Sequence, residues 1–231
     1  MFQKVKYNSL NELIYKEIKE KIIDNELKPN EKLDIDYLSA SMGVSRTPVT
    51  NALKSLQKDG YVVIHPRSGS YVRELTQKEV EYIFDFRQVL ECEIIRKVIG
   101  ELSQEQLQEF RDKFETLLNI SHVENDIQVR ELVKSFFVIE IEFHEYLINA
   151  CPRIIGTEIM NLMDLTKRIR KLHVFHKLKN FGWECFQEEI TVHIKLIESL
   201  LAKELESSIQ WITRDICKTK EEILESYQEL H

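Results

Sequence analysis

The 231 residues are 43% hydrophobic and 31% charged, with a formal net charge of −7. That is enough apolar material for a buried core, and no apolar run approaches the roughly 18 residues that a membrane span needs. Six Gly and four Pro are few for such a length, which argues against an all-β chain and for a mainly helical one. Cys92, Cys151, Cys185 and Cys217 are scattered without a C-x-x-C pair, so a disulfide scaffold or a zinc ribbon is excluded and reduced cysteines in or near the core are expected.

The acidity is not spread evenly. Residues 1–75 carry 12 Lys and Arg against 10 Asp and Glu, whereas the remainder carries 20 against 29. A weakly basic first domain can bind a duplex if its cations share one face, because affinity follows local phosphate neutralisation. The start, Met1-Phe2-Gln3-Lys4-Val5-Lys6, is followed by Asn8, Asn11 and Glu12 rather than by an apolar stretch, so no signal peptide and a cytoplasmic protein are expected.

Ser9-Leu10-Asn11-Glu12 has the S-x-x-E form of a capping box, and Leu10, Ile14, Ile18 and Ile22 repeat at fourfold spacing behind it, which predicts a first helix. Asn25 and the Pro29-Asn30 pair close it with a turn. Asp34 caps a short second helix that ends at Gly43, where a positive φ is accessible. Ser45 is placed to cap a third helix running to about Asp59, with Pro48 in its first turn. Val49, Leu53 and Leu56 face inward along it, leaving Arg46, Thr47, Thr50, Asn51 and Lys54 on the opposite side. That outward strip suits a major groove. After Gly60, the runs Tyr61-Val62-Val63-Ile64 and Ser70-Tyr71-Val72-Arg73 flank His65-Pro66-Arg67-Ser68-Gly69 and predict a hairpin. Three helices and a hairpin make a winged helix-turn-helix, with Arg67, Ser68 and Gly69 at a wing tip where backbone and guanidinium can reach phosphates or a minor groove.

From Thr76 onward helical periodicity predicts six helices, over 76–100, 103–121, 125–150, 153–179, 184–202 and 204–228, with breaks at Gly100, near Ser121-His122, at Cys151-Pro152 and around Asn180-Phe181-Gly182. The expected architecture is therefore mainly α: a winged helix-turn-helix over residues 1–75 and an all-helical bundle over 76–231. Within the bundle, Glu140 and His144 are four apart on one face, His193 lies between Ile190 and Ile197, and Asp215 flanks the stripe of Ile209, Ile212 and Ile216. These four side chains, from three helices, can converge on one interior point as metal ligands. By spacing alone, a satisfied core histidine and a surface Glu–His pair are the likelier account. His173 and His176, beside Lys171 and Lys177, are expected on a solvated basic face. Arg87 and Arg168 are candidates for pairing with an acidic effector or for structural ion pairs.

The segment Gly43-Val44-Ser45-Arg46-Thr47-Pro48-Val49, with Ala52-Leu53, Asp59-Gly60-Tyr61-Val62 and Pro66-Arg67-Ser68-Gly69, resembles the N-terminal domain of GntR-family bacterial transcription regulators over roughly residues 8 to 74. Where that family usually continues V-R-E-A-L, this chain has Val49-Thr50-Asn51-Ala52-Leu53, so one contacting arginine is replaced by Thr50 and a different operator sequence is expected. Arg87-Gln88-Val89-Leu90-Glu91, Glu140-Ile141-Glu142-Phe143-His144 and Val192-His193 resemble the FCD effector domain of the FadR-type branch. The metal-binding members carry D-x-x-F-H, a second histidine and a third histidine 22 residues beyond. Here Glu140 stands for the aspartate, His193 matches, and Asp215 takes the third position.

The resemblance implies a homodimeric regulator, usually a repressor, and not an enzyme. It would bind a double-stranded DNA operator through Arg46, Thr47, Thr50, Asn51, Lys54 and the wing tip. A small carboxylate effector would modulate it, with zinc, nickel, manganese or iron held by Glu140, His144, His193 and Asp215. Competing expectations are an acyl-CoA-type apolar effector bound without metal, and a metal-dependent hydrolase domain fused to a winged helix, for which no separate base, nucleophile or phosphate loop is visible.

Overall fold

The computed structural model describes residues 10–120 and 125–228. The chain divides into two compact units, Met1–Leu75 and Thr76–His231.

The N-terminal unit holds α1 (Leu10–Ile23), β1 (Lys32–Leu33), α2 (Ile35–Met42), α3 (Arg46–Lys58), β2 (Val62–His65) and β3 (Gly69–Val72). The fourfold apolar repeat works as expected from its second member onward: Ile14, Ile18 and Ile22 are buried, while Leu10 stays half exposed at the helix start. The Ser9 part of the capping box lies outside the described residues. Asn25 and Asn30 both take positive φ, at 59° and 62°, as amide side chains tolerate in turns. Asp34 caps α2 by accepting from the amides of Asp36 and Tyr37, and Gly43 closes it at φ 65°.

Ser45 sits at the N-cap of α3, but its hydroxyl makes no cap hydrogen bond. That corrects the capping expectation. The exposed end leaves its amides to solvent, and extended backbone alone turns the chain into the helix. Val49, Ala52, Leu53 and Leu56 are buried against α1. The hairpin forms with Val62 paired to Val72 and His65 to Gly69. A further strand, β1, pairs with β3 through Lys32 with Tyr71 and Leu33 with Ser70, giving the order β1-β3-β2. Two residues are too short to show an alternating pattern, so β1 is not legible in the sequence.

The C-terminal unit comprises α4 (Gln77–Val98), α5 (Gln104–Leu118), α6 (Asp126–Asn149), α7 (Arg153–Phe181), α8 (Trp183–Leu201) and α9 (Leu205–Glu225). Thr76 and Glu79 form a reciprocal capping box at α4, and Ser103 and Asn125 cap α5 and α6. Helix α4 packs on α9, α5 on α8, α8 on α9 and α6 on α7. Winged helix-turn-helix and all-α bundle are thus both formed. No helix among the described residues is long and apolar enough to cross a membrane. All four cysteines are free, with Cys92 buried and the others half-buried.

Candidate functional site

In the N-terminal unit the outward strip of α3 is open to solvent. Arg46, Thr47, Asn51 and Lys54 are exposed and Thr50 is half-buried, its hydroxyl donating to the Arg46 carbonyl at 2.9 Å. Arg46 does not wave freely. Its Nε lies 2.8 Å from Asp36 Oδ1 and its Nη2 donates to Oδ2 at 3.2 Å, a two-point clasp from α2 that aims the guanidinium. With both side chains about 70% exposed, the pair is worth little and yields readily to a phosphate or base edge. Asp36 is a positioning residue that sequence reasoning missed, because its partner lies across the turn. Arg67 takes φ 67° at the wing tip, Ser68 Oγ is 2.9 Å from the Tyr71 hydroxyl, and Lys32 lies against Gly69. A Cβ at Gly69 would meet Lys32 Cε at 3.2 Å, so glycine lets this basic side chain close on the tip.

In the C-terminal unit the dispersed ligand candidates converge. Glu140 and His144 come from α6 and His193 from α8, all buried, and each offers a ligating atom within 4.8 Å of the others. Asp215, on α9, stands 3.8 Å from His144 Nε2 and 3.7 Å from His193 Nε2. Four donors of a tetrahedral ion with bonds of about 2.1 Å would be about 3.4 Å apart, so the side chains must draw together to complete the shell, Asp215 by only a few tenths of an ångström toward each histidine.

Their chemistry is right for ligation. His193 Nδ1 is 2.8 Å from the Glu189 carbonyl, which can only accept, so Nδ1 carries the proton and Nε2 presents a lone pair. His144 Nδ1 donates to Glu91 at 2.9 Å. Burial works to raise the Glu91 pKa, but the adjacent Arg87 guanidinium and His144 overrule it and hold the carboxyl at about 2. Glu91 is therefore ionised and orients His144 as a metal ligand is oriented by a carboxylate behind it. Glu140 Oε2, His144 Nε2 and His193 Nε2 are buried without hydrogen-bond partners. Three such orphaned atoms in one buried cluster are costly unless a further group satisfies them.

Aromatic packing sets the rings. Phe114 stacks on His193 at 4.9 Å between centroids and Phe136 meets it edge-on at 5.5 Å. Beside the ligands lies a small, partly open cavity, whose lining includes Phe84, Arg87, Glu140, Arg170, His193 and Asp215. Arg87 is fully buried, with its Nε on Glu91 Oε1 at 2.9 Å, so it both lines the cavity and serves as a structural ion-pair partner. Arg168 is buried on α7 outside that lining, and Arg170, two residues on, faces the cavity instead. Arg170 Nη1 is paired with Glu140 Oε1.

His173 and Lys177 overturn the expectation of a solvated basic face. Both are buried. His173 Nε2 lies 3.0 Å from Glu222, and Lys177 binds Glu189 at 2.5 Å and Glu222 at 2.8 Å. Burial acts to raise the Glu222 pKa, yet hydrogen bonds from His173 and Lys177 hold it at about 2. A 29-residue helix packed between α6, α8 and α9 has little surface left for its cations, and carboxylates of α8 and α9 meet them. Glu91, Arg170 and Glu189 are the ion-paired side chains around the site that sequence reasoning missed. Only the Arg87–Glu91 spacing of four signalled one of them.

Residues 10–72 match the model of the gntR family of bacterial regulatory proteins, and residues 82–216 that of the FCD domain. The chain is 26% identical over 219 residues to the HTH-type transcriptional regulator YdhC of Bacillus subtilis, covering 93% of this chain and 92% of that protein. It is 21% identical to the HTH-type transcriptional repressor RspR of Escherichia coli, covering 89% and 95%. Among solved structures, McbR/YncC of E. coli superposes with a TM-score of 0.74 at 19% identity, covering 97% of this chain and 100% of that one. That last likeness is one of fold.

Proposed function

We propose, from the premise that the chain belongs to the gntR family of bacterial regulatory proteins and is a DNA-binding transcriptional regulator with an FCD domain, that it is a cytoplasmic repressor whose operator affinity is set by a small carboxylate bound beside a divalent metal ion. The observation that carries the effector half is the set of three buried, unpartnered atoms, Glu140 Oε2, His144 Nε2 and His193 Nε2, with Asp215 within 4 Å of both histidine nitrogens.

Glu140, His144, His193 and Asp215 would hold the ion. Two nitrogens and two carboxylates form a harder donor set than three histidines and one carboxylate, which suits manganese and iron as well as zinc and nickel. When bound, the ion supplies positive charge and open coordination positions for an effector oxygen. Arg87 lines the same cavity and offers its Nη groups to a carboxylate, while Glu91 keeps it in place. A cavity whose walls carry Arg87, Glu140, Arg170, Glu189 and Asp215 favours a small anion over an acyl-CoA-type ligand.

On the DNA side, Arg46 would contact a guanine or phosphate at the entry of α3, with Thr47, Thr50 and Asn51 reading neighbouring groups. Lys54 would neutralise phosphate, and Arg67, Ser68 and Gly69 would approach the backbone or minor groove. A homodimer would set two such helices about one duplex turn apart on a palindrome. Tyr82, Phe86 and Val89 support dimerisation: they lie on one side of α4 and are 53%, 62% and 67% exposed, more apolar surface than a lone helix face ordinarily leaves in water. RspR, a relative along most of the chain, is described as a repressor, which supports that sign of regulation.

The test combines metal analysis of the purified protein with mobility-shift titration on an operator obtained by binding-site selection. A bound first-row metal and an operator affinity that changes at least fivefold with a carboxylate are the expected results. Protein that retains no metal, and whose operator affinity no carboxylate alters with metal supplied, refutes the proposal.

A further inference from the structure

Arg46 opens α3, and Asp36 lies in the first turn of α2, on the other side of the bend at Gly43. Their contact uses one edge of the guanidinium: Nε meets Oδ1 at 2.8 Å and Nη2 meets Oδ2 at 3.2 Å. Arginine carries five N–H donors in a rigid plane. The clasp takes two of them along the side edge and leaves the fork that points straight ahead from Nη1 and Nη2. That end fork fits the O6 and N7 acceptors of a guanine.

The backbone beneath the carboxylate is fixed as well. Asp34 accepts from the amides of Asp36 and Tyr37 at 2.8 and 3.0 Å, so a capped turn holds Asp36 beside α3.

An arginine fork also fits a phosphate, and charge decides between the two. Asp36 cancels the charge of Arg46. The Asp34 carboxyl is held below its ordinary range first by the amides of Tyr37 and Asp36 and then by the charges of Lys32 and Arg46, which puts a second carboxylate in the same neighbourhood. Asp34 and Asp36 thus match Lys32 and Arg46, and the entry of α3 has no net positive charge to offer a phosphate. A base edge is neutral and needs only the donors. The exposed clasp is weak in water, but a base closing over its free end excludes solvent and strengthens it. It need not open for a guanine, whereas a phosphate gains only by displacing the carboxylate.

We propose that Asp36 is a specificity-determining residue of the DNA interface: by occupying the side edge of Arg46 and cancelling its charge, it turns that arginine from a phosphate contact into a reader of guanine through Nη1 and Nη2. This rests on the reading above that Arg46 touches the operator.

The experiment uses the full-length protein and mobility-shift titration on an operator obtained by binding-site selection. Comparing wild type with Arg46→Ala identifies the base pair that depends on Arg46, and that pair is G·C. There the wild type prefers guanine over adenine by about 5–150-fold, the range of a bidentate contact. Replacing that guanine with 7-deazaguanine, which still pairs with cytosine but lacks the N7 acceptor, weakens binding. In Asp36→Ala the guanine preference falls by about threefold or more, and 7-deazaguanine costs correspondingly less. Affinity for an unrelated duplex rises, with a salt slope steeper by about 0.9 per half-site, as one more phosphate is neutralised. Asp36→Asn, which keeps the size of the side chain without its charge, must move both quantities in the same directions.

An Asp36→Ala protein that gains equally on operator and unrelated duplex, with its guanine preference intact, makes Asp36 a general repulsive charge and overturns the proposal. So does an Arg46-dependent position that accepts any base. Unchanged operator affinity in Arg46→Ala refutes instead the Arg46 contact itself, which distinguishes failure of that reading from failure of this one.

Discussion

Glu91 is the side chain on which the interior of the bundle depends most. It is buried between Arg87 Nε and His144 Nδ1, each 2.9 Å away, and Arg87 itself is 1% exposed. Glu91→Gln keeps the volume and an acceptor for His144 but removes the charge, leaving a fully buried guanidinium without its hydrogen-bonded counter-ion and with only Glu140 and Asp215 acting on it from farther off. Breaking a buried pair in this way costs about 3–5 kcal/mol, a large part of the roughly 5–15 kcal/mol that holds a domain folded. Arg87→Met alone leaves Glu91 with only His144 and should also destabilise. The double variant Arg87→Met/Glu91→Gln removes both charges, so its loss of stability should be at least ~2 kcal/mol smaller than the sum of the two single losses.

The assay is urea unfolding followed by tryptophan fluorescence. Trp183 and Trp211, the two tryptophans of the chain, lie on α8 and α9, so the signal belongs to the bundle alone. The same Glu91→Gln protein should bind zinc or cobalt about 10–100-fold more weakly, since it loses the ionised group behind His144. A Glu91→Gln protein within ~1 kcal/mol of the wild type, or single losses that add to within ~0.5 kcal/mol in the double variant, would refute the reasoning.

Arg46→Ala should weaken operator binding by about 1–3 kcal/mol in a mobility-shift titration, with the folded N-terminal unit intact because the side chain is exposed. Gly43→Ala should destabilise that unit by about 1–2 kcal/mol in thermal unfolding. No atom lies within 4 Å of the added methyl, so the cost is that of holding alanine at φ 65°. Asp215→His should tighten zinc by tenfold or more in chelator competition, because a nitrogen donor replaces an oxygen at the fourth position. Glu222 has a folded pKa near 2, below the ordinary 4.5, so its stabilisation is complete above pH 4.5 and lost as pH falls toward 2. The full effect is up to about 3 kcal/mol, and Glu222→Gln should remove about one proton from the acid-limb slope of bundle stability.

Much of the winged helix was written in adjacent residues. Gly43, Asn25, Asn30, Asp34 and the hairpin around Pro66–Gly69 act through their own backbone and nearest amides, and the inward stripe of Val49, Leu53 and Leu56 is a matter of helical period. Those causes act over four residues or fewer. The Glu140–His144–His193–Asp215 cluster was legible as residue types on helical faces, aided by family likeness, but helical spacing alone could not distinguish it from ordinary core histidines. His173 and Lys177 show the opposite case: their local sequence is basic and reads as surface, and only carboxylates 12 to 49 positions away make their burial tolerable.

Amino-acid order alone settled where helices begin and turn and which faces are apolar, because period, caps and left-handed glycine are short-range physics. Tertiary packing decided which charges meet. It put Glu91 behind His144 across 53 positions, brought Asp215 to both histidines, and turned Arg170 rather than Arg168 toward the cavity. Two residues apart on a helix are about 200° apart in direction, and nothing in the order of residues says which direction holds the neighbouring helix.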